Sequence, residues 1–230
     1  MSATRNEKCS YSVAYAAMLS LMPQVPCRDD LAPLAALNFS KLMRDAEVGV
    51  FQGAFSEKNL RHWRGTYYMV DACNYRPGDP GDKNDRRPEW HDVNYRTARL
   101  RASEAGPRAV LMRNLSTNAA QLVPDESLDW IYIDALHIER AVLMDLKAWY
   151  PKLRPGGLMS GDDWGDIKNT PLNPATRWAK KFGSVARNPG NAWGTISAVR
   201  KWSAEECLAP HATYMHDCYA FPAWYVVKPF

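Results

Sequence analysis

The stretch AEVGVFQGAFS, residues 46–56, has the pattern of a strand that leads directly into a helix. It begins with an apolar β-type run, and Gly49 and Gly53 flank the turn that follows. Ser56 and Glu57 are placed to cap the helix. Glycine lets backbone approach a ligand closely, and a helix start offers free N–H groups, so this loop is a candidate binding site. The alternative is that the two glycines only permit a tight turn.

Outward from this stretch, short apolar runs alternate with helical patterns. This alternation is typical of a mostly parallel sheet covered by helices on both faces. Strands are predicted at 46–51, 66–71, 108–113, 128–134 and 157–161, and helices at 91–105 and 138–153. The segments 211–217 and 223–229 suit an antiparallel pair that ends the sheet. The sequence therefore predicts an α/β fold with a seven-stranded sheet whose last strand is antiparallel.

Length and composition indicate one globular domain. The chain has 230 residues, of which 46% are hydrophobic and 23% charged, enough for one well-buried core. We expect residues 1–45 to form an N-terminal helical segment that packs on a domain spanning 46–230. The segment 11–22 is mildly apolar, and we interpret it as an amphipathic packing helix, with a targeting segment as the weaker alternative. This helix could also cover a neighbouring subunit, so a homo-oligomer is possible.

Charge and cysteine usage narrow the class of protein. The net charge is +4 with basic and acidic residues interspersed, which argues against a dedicated nucleic-acid binder. Nothing approaches the ~20 apolar residues of a membrane span. The five cysteines form no C-x-x-C pair and are odd in number. We therefore expect reduced thiols and a cytoplasmic location.

Asp71 adds a second element to the candidate binding loop. It ends the predicted strand 66–71, where a carboxylate can accept hydrogen bonds from both hydroxyls of a ribose. Loop and acidic strand end together indicate nucleoside binding at the edge of a parallel sheet. Phe51 stands where a dinucleotide fold would have the middle glycine of G-x-G-x-x-G, so a nicotinamide cofactor is disfavoured.

Read together, several segments resemble the class I S-adenosylmethionine-dependent methyltransferases. They most resemble the metal-associated O-methyltransferase-like group that includes macrocin O-methyltransferase. The segments that carry the resemblance are AEVGVFQGAFS (46–56), YYMVDA (67–72), RNLSTNAA (113–120), DESLDWIYIDALH (125–137) and DLKAWYPKLRPGGLMSGDDW (145–164). The resemblance implies a Rossmann-like methyltransferase fold with S-adenosylmethionine as cofactor. Residues 1–27 and the loop 165–194 do not match, and we expect substrate choice to depend on them.

The resemblance also implies which residues bind the cofactor. The matching positions are Glu47, Gly49 and Gly53 around the methionine part, Asp71 at the ribose, Ser116 near the adenine, and Asp134 beside the transferring methyl group.

Three carboxylates are expected to lie close together at one edge of the sheet. Asp134 ends one predicted strand, and Asp162 and Asp163 follow the next one. Like charges this close disfavour ionisation or require a cation, and Mg²⁺ prefers oxygen ligands. The trio resembles the metal site of catechol O-methyltransferase-type enzymes, although Asp163 stands where an amide would be expected. We therefore predict a divalent metal bound by these three residues.

His137 lies three residues beyond Asp134 and is the candidate general base. Its alternative role is to cap the helix at 138–153. Together these features predict an S-adenosylmethionine-dependent O-methyltransferase that acts on a hydroxyl of a small molecule, such as a sugar or glycoside, with help from a divalent metal. The alternatives are a metal-independent methyltransferase and a non-catalytic protein that binds the cofactor.

Overall fold

The structure of the protein is a computed structural model that describes residues 22, 24–73, 88–166, 194–214 and 221–230. The predictions for the amphipathic segment 11–22 and for the loop 165–194 lie almost entirely outside these residues. The predicted division into a segment 1–45 and a domain 46–230 therefore stays a prediction.

Seven strands form one sheet in the order β3-β2-β1-β4-β5-β7-β6. Their bounds are Arg44–Val48 (β1), Thr66–Asp71 (β2), Ala109–Arg113 (β3), Leu128–Ile133 (β4), Leu153–Gly161 (β5), His211–Ala212 (β6) and Trp224–Val227 (β7). The first five strands pair in parallel, and β7 lies antiparallel between β5 and β6. The predicted mostly parallel sheet with an antiparallel last strand is confirmed.

Six α-helices of the described residues cover the two faces of the sheet. They are Leu31–Asn38 (α1), Ala54–Asn59 (α2), Pro88–Ala105 (α3), Ser116–Gln121 (α4), Glu139–Trp149 (α5) and Thr195–Glu205 (α6). Residues of α1 to α3 belong to one buried cluster, and residues of α4 to α6 belong to a second. This is the three-layer Rossmann-like arrangement, with helices on both faces as predicted.

The central strand β4 explains how the sheet separates the two cores. Ile131 and Ile133 belong to the cluster under α4 to α6, whereas Trp130 and Tyr132 belong to the cluster under α1 to α3. Successive side chains of a strand point to opposite faces, and both faces of β4 are covered. All six residues of β4 are accordingly buried, which accounts for the nearly continuous apolar run in the sequence.

Some predicted bounds are wrong. β1 ends at Val48 instead of residue 51, because Gly49 turns out of the strand with φ of 97°. The helix predicted over 138–153 ends at Trp149, since Tyr150–Lys152 form a 3-10 turn and Leu153 already belongs to β5.

The start of α2 also differs from the prediction. Gly53 occupies the position before the helix in the left-handed conformation, and the helix begins at Ala54. Ser56 and Glu57 therefore lie within α2 and do not cap it. Ser56 is fully buried, so its place is in the core beneath the helix.

The expectation of reduced cysteines is wrong for Cys207, which is in a disulfide. Disulfide pairing depends on which cysteines the fold brings together, and neither the number nor the spacing of cysteines reveals that. Cys27 and Cys73 are free and buried. Among the residues described, no helix combines the length and apolar character needed to cross a membrane.

Candidate active site

Gly49 lies where the carboxyl ends of β1, β2 and β4 meet. Its amide donates to the carbonyl of Val70 at 2.8 Å, and the amide of Asp134 donates to the carbonyl of Val48 at 2.7 Å. A Cβ on Gly49 would lie 2.0 Å from the carbonyl oxygen of Asp134. The absence of a side chain here is thus required by the chain's own backbone. Gly49 allows the β1 turn and the end of β4 to pack directly against each other.

Gly53 has a packing role of the same kind. It has φ of 80°, and an added Cβ would meet the Met69 side chain at 3.2 Å and the Ala98 backbone of α3 at 3.4 Å. The structure therefore gives both predicted cofactor-binding glycines a role in the turn itself. Contact of this loop with the cofactor stays a prediction.

The Asp71 carboxylate is fixed at the end of β2 by two backbone amides. Its Oδ2 accepts from the amide of Phe51 at 2.7 Å, and its Oδ1 accepts from the amide of Cys73 at 2.7 Å. Phe51 adopts φ of 53°, a left-handed conformation that is uncommon for a residue with a side chain. Each carboxylate oxygen has a second lone pair, and Asp71 is only half-buried. A preoriented carboxylate of this kind suits a pair of vicinal hydroxyls.

Glu47 is buried next to this loop and is held by a short hydrogen-bond chain. Its Oε2 accepts from the Tyr67 hydroxyl at 2.6 Å, and that hydroxyl accepts from Asn59 Nδ2 at 2.8 Å. Burial raises the pKa of Glu47 from its ordinary value of 4.5 to about 7, against the opposing effect of the hydrogen bond from Tyr67. The sequence does not reveal this role of Tyr67, because its contact with Glu47 depends on the pairing of β1 with β2.

Ser116 is the first residue of α4, but its hydroxyl is engaged with α5. It accepts from Trp149 Nε1 at 2.9 Å and hydrogen-bonds to the carboxyl group of Asp145. Burial raises the pKa of Asp145 to about 6. The side chain of Ser116 therefore joins two helices, and a role near the adenine stays a prediction.

Three carboxylates and a histidine converge at the ends of β4 and β5. The amide of Asp162 donates to the carbonyl of Ile133 at 2.9 Å, which joins the two strand ends. His137 lies between two acids, with Nε2 3.5 Å from Asp134 Oδ1 and Nδ1 3.7 Å from Asp163 Oδ2. Burial, followed by the charges of Asp162 and Asp163, raises the pKa of Asp134 well above its ordinary value. The predicted cluster is therefore present.

Arg28 supplies a cation to this cluster that is not apparent from the sequence. Its Nη1 donates to Asp162 Oδ2 and lies 3.8 Å from Asp134 Oδ2. The guanidinium carbon also lies 4.8 Å from the centre of the Phe55 ring. Arg28 is 134 residues from Asp162 in the chain, and it stands in a Cys-Arg-Asp-Asp stretch without a recognisable motif. Only the fold brings it to the strand ends.

The predicted metal site does not fit these residues as they stand. Asp162 Oδ2 already accepts a hydrogen bond from Arg28, and the same guanidinium nitrogen is 3.8 Å from Asp134. A divalent ion between these carboxylates would be repelled by a fixed positive charge. Within the described ranges, no group of three or more His, Cys, Asp or Glu side chains has an arrangement that could hold a metal ion. The proposed metal role of Asp134, Asp162 and Asp163 is not supported.

His137 does not cap α5. The residue before the helix is Ile138, and no side chain caps the helix start. The carbonyl of His137 accepts from the amide of Gly194 at 3.0 Å, and Gly194 forms a backbone bridge with Asp166. Asp166 and Gly194, the described residues on either side of 167–193, are therefore joined to each other next to the backbone of His137. The role of base for His137 stays a prediction.

Comparisons with known proteins agree with this architecture. A family model described as a methyltransferase domain matches residues 46–164. A comparison with curated proteins found no match. A solved structure of a protein from Corynebacterium glutamicum is similar at a TM-score of 0.59 and 13% identity, covering 94% of this chain and 87% of that one.

Two further solved structures are O-methyltransferases. The Bacillus cereus enzyme, in complex with S-adenosylhomocysteine, has a TM-score of 0.52 and 14% identity, with 99% of this chain and 92% of that chain covered. TomG from Streptomyces achromogenes, involved in tomaymycin synthesis and in complex with S-adenosylmethionine, has a TM-score of 0.51 and 14% identity, with 100% and 92% covered. At these identities the likeness shows the fold alone.

The family match spans just over half of the chain and includes every predicted site residue from Glu47 to Asp163, whereas Arg28 lies outside it. The chain therefore belongs to the methyltransferase-domain family, and the protein is a methyltransferase.

Proposed function

We propose that the protein is an S-adenosylmethionine-dependent O-methyltransferase that methylates a hydroxyl of a small molecule, of which a sugar or glycoside is one class. The observation that carries the proposal is the placement of His137 between Asp134 and Asp163, at the strand end packed against the Gly49 turn. The family match and the cofactor-bound O-methyltransferases of similar fold support it.

The residues of the loop are suited to a cationic nucleoside cofactor. Asp71, held by two backbone amides, would accept the ribose hydroxyls. Glu47 and Asp134 place carboxyl groups near the expected position of the methionine part, which carries positive charge on sulfur and on the amino group. When bound, S-adenosylmethionine supplies an electrophilic methyl group on a sulfonium that leaves as a neutral thioether.

His137 would take the proton of the acceptor hydroxyl as its oxygen attacks the methyl carbon. The two flanking carboxylates stabilise the positive charge that the imidazole gains. The remaining contribution of the protein is to align the acceptor oxygen with the methyl group. Residues 167–193 are the proposed source of acceptor specificity, because Gly194, which follows them, hydrogen-bonds to the backbone of His137.

Calorimetric binding of S-adenosylhomocysteine tests the cofactor part of the proposal. We expect the wild-type protein to bind, and Asp71→Ala to weaken binding at least about tenfold, which corresponds to ~1.4 kcal/mol. Asp125→Ala is the matched control, because Asp125 is exposed and pairs with Lys152 away from the site. A folded wild-type protein that binds neither S-adenosylmethionine nor its product would contradict the proposal.

Transfer of a labelled methyl group to a panel of hydroxylated acceptors tests the chemistry. His137→Gln should lower kcat by about a hundredfold or more, the usual contribution of a positioned base, with unchanged binding of S-adenosylhomocysteine. Cofactor binding without transfer to any acceptor would favour the non-catalytic alternative. An unchanged kcat in His137→Gln would remove His137 from the role of base.

A further inference from the structure

We infer that Arg28 is the resident cation of the acidic cluster, and that methyl transfer by this protein therefore needs no divalent metal. This inference rests on the proposed function and names a positioning residue for it. The cluster is defined by Asp134, Asp162 and Asp163 at the ends of β4 and β5.

The pairing of Arg28 with the cluster is well shielded from water. The side chains of Arg28 and Asp162 are 16% and 9% exposed. Ion pairs at such positions are screened by salt much less than surface pairs. The guanidinium packs over the Phe55 ring of α2, and planar guanidinium groups favour this contact. The ends of β4 and β5 and helix α2 thus hold the guanidinium group in place.

The turn that carries Arg28 is itself anchored. Cys27 precedes it and is buried, and its amide donates to Asp30 Oδ2 at 3.0 Å. Leu31, directly after the turn, is fully buried in the core under α1 to α3. Segments on both sides of the arginine are therefore fixed to the domain. The fold therefore holds Arg28 in a fixed position at the ends of β4 and β5.

Arg28 occupies the coordination sphere that a metal would need. A hard divalent ion requires oxygen ligands from several carboxylates at once. Here the guanidinium contacts Asp162 Oδ2 and lies near Asp134 Oδ2, so a metal could bind only by displacing it. Arginine stays protonated in proteins, so it cannot release these acids by losing its charge.

The same geometry gives Arg28 a function in the reaction. It lies on the Oδ2 side of Asp134, and His137 lies on the Oδ1 side at 3.5 Å. Arg28 therefore orients Asp134, and Asp134 in turn orients the imidazole. In metal-assisted enzymes a cation would perform the orienting role at such a cluster.

Binding of Mn²⁺, measured by electron paramagnetic resonance on the full chain, tests this inference. We expect no stoichiometric binding to the wild type and no effect of EDTA on S-adenosylhomocysteine binding or on methyl transfer. Arg28→Met removes the charge and keeps an apolar stem, so it should gain at least about tenfold in Mn²⁺ affinity. Asp162→Asn added to that variant should abolish the gain.

Two controls separate charge from folding. Arg28→Lys keeps a cation and should stay without metal affinity. Arg61→Met removes an exposed arginine that pairs with Glu57, and it should behave like the wild type. A gain of Mn²⁺ affinity in Arg28→Met, but not in Arg28→Lys or Arg61→Met, would not result if the role of Arg28 were merely structural. Only removal of the positive charge at the cluster would create a metal site.

The result that would overturn the inference is stoichiometric Mn²⁺ binding by the wild type that Asp162→Asn removes. Loss of methyl transfer in EDTA, restored by Mg²⁺, would overturn it equally. A folded Arg28→Met protein without any gain in Mn²⁺ affinity would also count against it. Should that variant fail to fold, the wild-type and Arg28→Lys measurements still decide. Failure of the proposed function would instead appear as absent binding of S-adenosylhomocysteine, whatever the metal result.

Discussion

At the scale of the residue, Gly49 shows why the first turn is built without side chains. The sequence left two explanations open, close approach of a ligand and a tight turn. In the structure, the position that a Cβ would occupy is filled by the backbone of Asp134 and Ala135, at 2.0 to 2.6 Å. Only glycine permits this contact. The position of Asp134, the central acid of the site, therefore depends directly on residue 49.

Gly49→Ala should destabilise the protein through both a clash and an unfavourable φ. Gly106→Ala is the matched control, because Gly106 also has positive φ, of 71°, but nothing lies within 4 Å of an added Cβ. We expect Gly106→Ala to lower the free energy of unfolding by about 1–2 kcal/mol from backbone strain alone. Gly49→Ala should lower it by more than about 4 kcal/mol. Urea unfolding measures both, and equal losses would show that the clash relaxes without cost.

Ser116 offers a second residue-scale test, because the predicted contact with adenine and the observed contact with Trp149 have different consequences. Ser116→Ala removes a hydrogen bond and leaves the indole N–H without its partner, so stability should fall by about 1–2 kcal/mol. Ser103→Ala, in an exposed turn of α3, is the control. S-adenosylhomocysteine affinity should stay within about threefold of wild type. A tenfold loss of affinity without a loss of stability would restore the predicted cofactor role.

At the scale of the element, β1 carries two buried acids, Asp45 and Glu47, two residues apart on the same face of the sheet. Glu47 has Tyr67 as donor, but neither side-chain oxygen of Asp45 has a hydrogen-bond partner among the residues described. Burial, and then the nearby charge of Glu47, raises the pKa of Asp45 well above its ordinary value. Neighbouring Asp129, by contrast, is paired with Arg154 at 2.5 Å. Asp45 is therefore a weak point of an otherwise well-packed strand.

Asp45→Asn should stabilise the protein, and the gain should grow with pH. The folded state holds the proton of Asp45 more tightly than the unfolded chain does. The contribution of Asp45 to the stability of the fold is therefore most favourable at acid pH and is lost as pH rises. The amide cannot ionise, so the variant should exceed the wild type by about 1–3 kcal/mol near neutral pH and by little at about pH 4. Thermal unfolding across this range measures the difference, and a gain that does not change with pH would contradict the explanation.

The elements also show what the sequence could predict. The positions of the strands and their mostly parallel pairing follow from apolar runs between helical patterns, because a strand buried on both faces leaves a continuous apolar signature. The acids at the ends of β4 and β5 were predicted to meet for the same reason, since parallel strands end at one edge. Arg28 could not be predicted, because its partners Asp134 and Asp162 are brought to it only by the packing of α1 and α2. A metal was predicted because the sequence does not show that Arg28 supplies the positive charge for these acids.

At the scale of the whole molecule, buried carboxyl groups with raised pKa values give stability an unusual dependence on pH. Burial raises the pKa of Glu47 from 4.5 to about 7 and that of Asp145 from 3.8 to about 6. Between the ordinary and the raised values, the folded protein binds more protons than the unfolded chain. These groups stabilise the fold fully below pH ~4, and the contribution is lost as pH rises through about 6 to 7.

Glu47→Gln isolates the larger of these two shifts. The glutamine carbonyl can still accept from Tyr67, but the side chain no longer titrates. Between about pH 4.5 and pH 8, the wild-type free energy of unfolding should fall by up to ~3 kcal/mol relative to that of the variant. Glu104→Gln, at an exposed position of α3, should change this difference little. Urea unfolding at several pH values measures the slopes, and parallel curves for wild type and Glu47→Gln would show that the buried carboxyl does not change its protonation on folding.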